Sequence, residues 1–347
     1  MKRWTVFVTA VAMLFALASC GNGNGNGAGS ASNQGGQSSV GQSKGSGGSG
    51  ETVQLSCGAA GTTSWVYSCV TAASEILKQY TNIDLVVQST PGSTVHYGMI
   101  ANGEIQMGSG FSPTDYWAWN GIGDLYPQSY KGEFYAIVPL TTSYFYCFVR
   151  EDSAIQNLSD LTGKTVFVGD PGSASAAGIQ DVIKALKMEF KQVSTDRDEG
   201  FEMLKDGRVD AAMYIGAAPY SSILSIAADV NLRFIPFTTE EQQKAIQAGP
   251  YNFAGSISKD SYDFLTEDVP TLCMIQNLNV DSDMDEALVY EMTKTLVDHW
   301  DELVSVVAGA GQVDPLKDIN NCIVPIHPGA IRYYEEQGVT IKDSLKP

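Results

Sequence analysis

Five short stretches gather the groups best suited to hold a small ligand: GAAGTTSW (58–65), STPGST (89–94), GSGFSPTDY (108–116), GDPGSASA (169–176) and IGAAPY (215–220). Glycine allows close backbone approach, Ser and Thr supply hydroxyl donors, and a helix start offers unpaired N–H groups at the positive end of its dipole. None of the five contains Lys or Arg, so a carboxylate fits them better than a multiply charged phosphate. With each charge-assisted hydrogen bond worth about 1.5–3 kcal/mol, several such donors reach micromolar affinity. Phe111 and Gly216 are candidate wall residues, and Asp115 and Asp170 are the acids that would either receive an α-amino group or cap turns. The nearby aromatic residues Trp65, Tyr67, Tyr116, Trp117, Trp119, Tyr214 and Tyr220 divide between cleft wall and core.

No catalytic set accompanies these loops. TGKT (162–165) has the tail of a GxxxxGK[ST] phosphate loop, but Leu158 stands where the first glycine belongs and a strand-like run follows. SISK (256–259) fits the SxxK pair of acylating enzymes, yet neither SDN nor KTG occurs in the chain. His96, His299 and His327 lie in no HExxH or GxSxG context. His96 reads as a solvated or half-buried side chain on a short helix, and His327, before Pro328, as part of a helix start. The cysteines at 57, 69, 147, 273 and 322 show no CxxC and no zinc spacing. One or two disulfides remain open for them, with small buried hydrophobes as the default. The chain therefore reads as a binding protein rather than an enzyme, with no metal or cofactor.

The elements that must position the loops alternate along the chain. From Thr52 come the strand TVQLSC, a helix over about Ser64 to Tyr80, the strand IDLVVQ, a helix near Ser93 to Asn102, and the strand EIQMGS. Val66, Val70, Ala73, Ile76 and Leu77 form one apolar stripe on the first helix, and Thr62, Thr63 or Ser64 would cap it. After Arg150 the alternation resumes: TVFVGD, a helix over about Ser173 to Met188, FKQVST, a helix near Glu199 to Lys205, VDAAMY, a helix near Tyr220 to Ala228, and LRFIPF. Alternation of this kind predicts parallel strands covered by helices. MIANGEIQMGSG (99–110) and MLKDGRVDAAMYIG (203–216) both read as helix, tight turn, strand, which suggests two α/β lobes built alike. Two strand-like runs, SYFYCFVR near 144–150 and TLCMIQNLNV near 271–280, would cross between them. The expected layout is lobe 1 from 51–143 and 272–347, lobe 2 from 144–271, and a cleft at the strand carboxyl ends.

The first fifty of the 347 residues stand apart. MKR followed by the apolar WTVFVTAVAMLFAL reads as a secretory signal over 1–20, too short for a membrane span. Leu17, Ala18, Ser19 and Cys20 resemble a bacterial lipobox, which implies a lipid on Cys20 and a protein anchored outside the cytoplasm. Residues 21–50, rich in Gly, Ser and Asn, cannot offset the entropy of ordering and read as a tether with a reach of about 30 Å. Removing Lys2 and Arg3 takes Lys+Arg from 21 to 19 against 39 acids, and the formal charge from -18 to -20. So acidic a chain is a poor partner for nucleic acid.

Taken in order, GTTSWVYSCVTAASEIL, VQSTPGSTVHYGMIANGEIQMG, LSDLTGKTVFVGDPGSASA, LKDGRVDAAMYIGAAPYSSI, EDVP and VPIHPGAIRYYEEQG resemble the TAXI-type solute-binding proteins of tripartite ATP-independent periplasmic (TRAP) transporters. The likeness covers nearly all of Thr52 to Gly338. It implies a type II periplasmic-binding fold: two α/β lobes, joined by a two-strand hinge, that close as a monomer on a glutamate- or 2-oxoglutarate-like acid and deliver it to TRAP membrane subunits. It places ligand contacts on Thr62, Thr63 and Trp65, on Gly92 and Ser93, on Ser109, and on Gly172, Ser173 and Ser175. GAAG at 58–61, where the family often carries more glycine, is a departure that bears on which acid is bound. An ABC-importer receptor of the same fold is the alternative.

Overall fold

The computed structural model describes residues 51–347 apart from Thr63 and Asp124. The expected signal with Cys20 and the tether at 21–50 lie outside the described residues. β1 (Val53–Gly58), α1 (Trp65–Tyr80), β2 (Ile83–Gln88), α2 (Ser93–Ala101), β3 (Met107–Phe111) and α3 (Ser112–Asn120) make the first alternation. The long strand β4 (Phe134–Arg150) leads to β5 (Thr165–Phe167), α4 (Ala174–Leu186), β6 (Lys191–Val193), α5 (Arg197–Lys205) and β7 (Ala211–Gly216). Then come α6 (Ser221–Ala227), β8 (Leu232–Phe234), α7 (Thr239–Ala248) and β9 (Phe253–Ile257). A second long strand, β10 (Val269–Asp281), brings the chain back, and α8 (Glu286–Asp298), α9 (Trp300–Val306), α10 (Pro315–Asp318) and α11 (Pro328–Glu336) follow.

All ten strands join in one sheet in the order β2-β1-β3-β10-β4-β7-β5-β6, with β8 added to β4 and β9 to β10. The two ends mirror each other. β1 runs parallel to β2 and β3, and β5 runs parallel to β6 and β7. At the inner edges β3 pairs antiparallel with β10 and β7 antiparallel with β4. The repeated sequence pattern proves to be a repeated turn. Gly103 and Gly207 adopt φ of 71° and 72°, a left-handed conformation open to glycine at little cost. Glu104 N donates to Met99 O and Arg208 N to Met203 O, each at 2.8 Å.

Period-two alternation along β4 sorts its side chains onto two faces. Phe145, Cys147 and Val149 join one apolar cluster with Val166, Ile179 and Met213, while Tyr144, Tyr146 and Phe148 join another with Phe167, Phe201 and Phe234. A third cluster unites the stripe of α1 (Val70, Ala73, Ile76, Leu77) with Ile137, Leu278 and the C-terminal Met292, Leu303 and Tyr334. Ser64 caps α1 by accepting from Tyr67 N at 3.1 Å.

Two expectations need correction. The stretch after Phe111, read as loop, is helix α3: Pro113 sits in its first turn, where the missing N–H does no harm, and Gly121 at φ 63° ends it. His96 is 1 % exposed rather than solvated, with Nδ1 2.8 Å from Ser109 O and Nε2 3.1 Å from Ala59 O. It lies against two glycines that leave room for its ring: a Cβ on Gly58 would stand 2.6 Å from His96 Cδ2, and one on Gly108 2.8 Å from His96 Cβ. His327 caps α11, accepting from Gly329 N. The five cysteines are unpaired and buried.

Because the ring of His96 is fixed between β1 and β3 by hydrogen bonds at both nitrogens, it cannot yield to an added methyl. Gly108→Ala should therefore destabilise the fold by about 1–3 kcal/mol, seen as a lower urea midpoint with an unchanged slope.

Candidate ligand cleft

The two mirror-related ends of the sheet meet over a cavity of about 280 Å³, near the lower limit for small-ligand sites, about 300 Å³. One wall comes from the start of α2 (Gly92, Ser93, Thr94) and the end of β3 (Ser109, Gly110, Phe111). The other comes from the start of α4 (Gly172 to Ser175) and from Tyr214 and Ile215 of β7. Ser143 of β4 and Gln276 of β10, on the crossing strands, complete it. No Lys, Arg, Asp or Glu occurs among the described lining residues.

The hydrogen bonds already made decide which donors remain for a ligand. Ser173 Oγ donates to Asp170 O at 2.9 Å and accepts from Ala176 N at 3.0 Å, so it caps α4 and offers nothing more. Ser175 Oγ accepts from Ile215 N at 3.1 Å, which leaves its proton free. Gln276 Nε2 donates to Ser143 Oγ at 2.8 Å and keeps a second N–H. α2 has Gly92 at its N-cap and no side-chain cap, so its first N–H groups depend on solvent or ligand. The free donors thus come from both walls and from the crossing strands.

Seven sequence-predicted site residues meet here: Gly92, Ser93, Ser109, Phe111, Gly172, Ser173 and Ser175. The remaining described ones do not. Thr62 is exposed and borders a separate surface hollow with Tyr67, Glu75 and Val306. Trp65 is half-buried with its indole against Gly309, where a Cβ would stand 2.3 Å from Nε1. Gly216 lies beneath the ring of Tyr220. Asp170 Oδ1 accepts from Arg197 N at 2.7 Å and so helps cap α5. Thr63 lies outside the described residues. Of the aromatics, Phe111 and Tyr214 line the cleft, whereas Trp117 packs on Tyr251 and Trp119 on Phe134.

Asp115 is placed one layer behind the wall. It is 1 % exposed, and a Cβ on the cleft residue Gly110 would come within 2.7 Å of its Oδ1. Tyr97 Oη and Asn279 Nδ2 donate to that oxygen at 2.8 and 2.7 Å. Burial outweighs these hydrogen bonds and pushes the carboxyl up to about 7. Sequence reasoning passed over Gln276 and Ser143 because nothing in a strand sequence marks the point where it crosses a cleft.

Residues 57–338, which span both ends of the sheet and the cleft, match one family throughout. The chain belongs to the NMT1-like family. Among solved structures, a TctC solute-binding protein from Polaromonas aligns over 75% of this chain and 88% of its own at 14% identity with a TM-score of 0.50. Others similar in outline are the amino-acid ABC transporter extracellular-binding protein ytmK from Bacillus subtilis (12% identity, 76% and 100% coverage, TM-score 0.47) and the periplasmic sulfonate-binding protein SsuA from Methylobacillus flagellatus (16%, 85% and 81%, 0.44). This NMT1-like protein has the type II periplasmic-binding fold. Among the described residues no helix is long and apolar enough to cross a membrane.

Asp115 has a consequence for stability. Its folded value near 7 lies above the ordinary 3.8, so between these values the folded chain keeps a proton that the unfolded chain releases. Stability from this group is complete below pH 3.8 and falls as pH rises to about 7, by about 4 kcal/mol in all. Asp115→Asn should flatten that fall, measured by urea unfolding at pH 4.5 and pH 8.

Proposed function

We propose that this NMT1-like protein is an extracytoplasmic solute-binding receptor that clamps a small organic acid, glutamate- or 2-oxoglutarate-like, and delivers it to the membrane subunits of a TRAP transporter. One observation carries the reading. The cleft joins the starts of α2 and α4 from opposite walls, with free hydroxyl and amide donors and no cation among the described lining residues. Such a site offers a singly charged carboxylate group what it needs, namely N–H and O–H groups at positive dipole ends. The wall order also fits a second carboxylate or a carbonyl reaching Gln276.

Closure supplies the mechanism. The lobes, 51–143 with 272–347 and 144–271, move about the crossing strands β4 and β10, and a ligand touching both walls favours the closed state by its differential affinity. The role is binding rather than turnover, by a monomer held at the membrane through lipidated Cys20 and its tether. The TRAP partner rests on the resemblance of the loop and C-terminal motifs to TAXI-type receptors.

A thermal-shift screen of C4–C6 mono- and dicarboxylates, with and without α-amino groups, tests this reading. A binder at 100 times its Kd should add about 2.7 kcal/mol and several degrees. Ser175→Ala and Gln276→Leu should each weaken the best binder about tenfold or more in calorimetry, and Ser175→Ala should also lower the melting of the free protein, because Ile215 N loses its acceptor. If no carboxylate shifts ligand-stripped protein, the acid-receptor reading fails.

A further inference from the structure

Arg197, at the start of α5, is joined by hydrogen bonds to the cleft wall that α4 and β7 form. Asp198 takes two corners of its guanidinium, Oδ1 accepting from Nε at 2.8 Å and Oδ2 from Nη2 at 3.2 Å. Ser222 Oγ donates to the same Oδ1 at 3.2 Å and helps to hold the carboxylate. The remaining corner, Nη1, donates to Tyr220 Oη at 2.9 Å. Tyr220 Oη in turn donates to Tyr214 Oη at 3.2 Å, and Tyr214 lines the cleft. The main chain secures the same region. Arg197 N donates to Asp170 Oδ1 at 2.7 Å, in the loop that continues into the lining residues Gly172 to Ser175. Tyr220 N donates to Tyr262 Oη at 2.7 Å, which fixes the middle of the chain.

Arginine can only donate, and this sets the direction of the whole chain. With a charge-assisted hydrogen bond entering Tyr220 Oη, the Tyr220 proton passes on to Tyr214, whose oxygen accepts it. The Tyr214 proton is then left over, and no described residue accepts it. Burial pushes the Tyr214 hydroxyl far up, so the proton is not lost to solvent near neutrality. Hydrogen bonds in series polarise one another, which makes the hydroxyl at the end of such a chain a stronger donor than an isolated one. A carboxylate or keto oxygen, which can only accept, matches that proton. An ammonium group, which can only donate, meets an oxygen already engaged.

We propose that Tyr214 is a ligand-binding residue of the cleft, donating its hydroxyl proton to an oxygen of the bound acid, and that Arg197 acts through Tyr220 as the positioning group that fixes this polarity. The proposal rests on the reading of the cleft as a carboxylate site and adds the residue that selects an oxygen acceptor on the α4 wall. It also links a cleft with no cation among its described lining residues to a guanidinium two hydroxyls away. Because Arg197 stays paired with Asp198, the acid binds without breaking an ion pair.

Calorimetry of the full chain with 2-oxoglutarate and L-glutamate, and with any tighter acid of the carboxylate panel, tests both parts. Tyr214→Phe keeps the ring and should weaken binding about tenfold or more. Tyr220→Phe, which cuts the chain without altering charge, should weaken it about threefold when Tyr214 is present and have no effect in the Tyr214→Phe background. Arg197→Gln should likewise cost less in the Tyr214→Phe background than alone. A purely structural role would give equal losses in both backgrounds. 3-Fluorotyrosine at position 214, a more acidic phenol on the same ring, should tighten binding, and it decides the matter should Tyr214→Phe fold poorly. Wild-type affinity in Tyr214→Phe, no tightening with the fluorinated phenol, or undiminished losses from Tyr220→Phe and Arg197→Gln without the Tyr214 hydroxyl each overturns the proposal and leaves the receptor reading intact. If no acid of the panel binds the wild type, the receptor reading fails and the proposal with it.

Discussion

The antiparallel pairing of β4 with β10 is the constraint on which the rest of the structure depends. It runs from Cys273 opposite Tyr144 to Asp281 opposite Phe134, with register shifts between Gln276 and Asn277 and between Leu278 and Asn279. Each of these strands also serves as the inner edge of one end of the sheet, β10 for β3 and β4 for β7. The two ends therefore share one ladder instead of merely touching. An irregularity at Gln276 falls where the sheet passes from one end to the other, and a local break in pairing re-aims a side chain at such a point.

From that pairing the electrostatic character of the cleft follows. Parallel strands on either side of the ladder deliver their carboxyl ends, and with them the starts of α2 and α4, to the same opening. The polar groups on the cleft walls are then backbone groups, hydroxyls and the Gln276 amide. Asp115, close behind the wall, is withdrawn behind Gly110 and tied to Tyr97 and Asn279. A glycine at that point lets a buried carboxyl approach the cleft without entering it. In so poorly hydrated a position its charge is costly unless fully paired, and one of its oxygens has no partner among the described residues.

The sequence alone determined the alternation of strands and helices, the caps, and the repeated turn at Gly103 and Gly207, because these depend on local periodicity and on backbone conformations that few residues adopt. It also marked the glycine- and serine-rich loops, since those residues act through near neighbours. Helix α3 escaped because Pro113 and the short polar run around it look like a turn until Phe111 is seen leading straight into it. Only the tertiary structure decided which loop residues line the cleft. Ser93 and Ser175 meet across the cleft although far apart in the chain, whereas Thr62 and Trp65, beside a loop of the same type, point elsewhere. Gln276 and Ser143 joined the cleft wall through strand register, and Asp115 is buried behind that wall. Proximity between distant segments is set by sheet pairing, and no local pattern of residues encodes it.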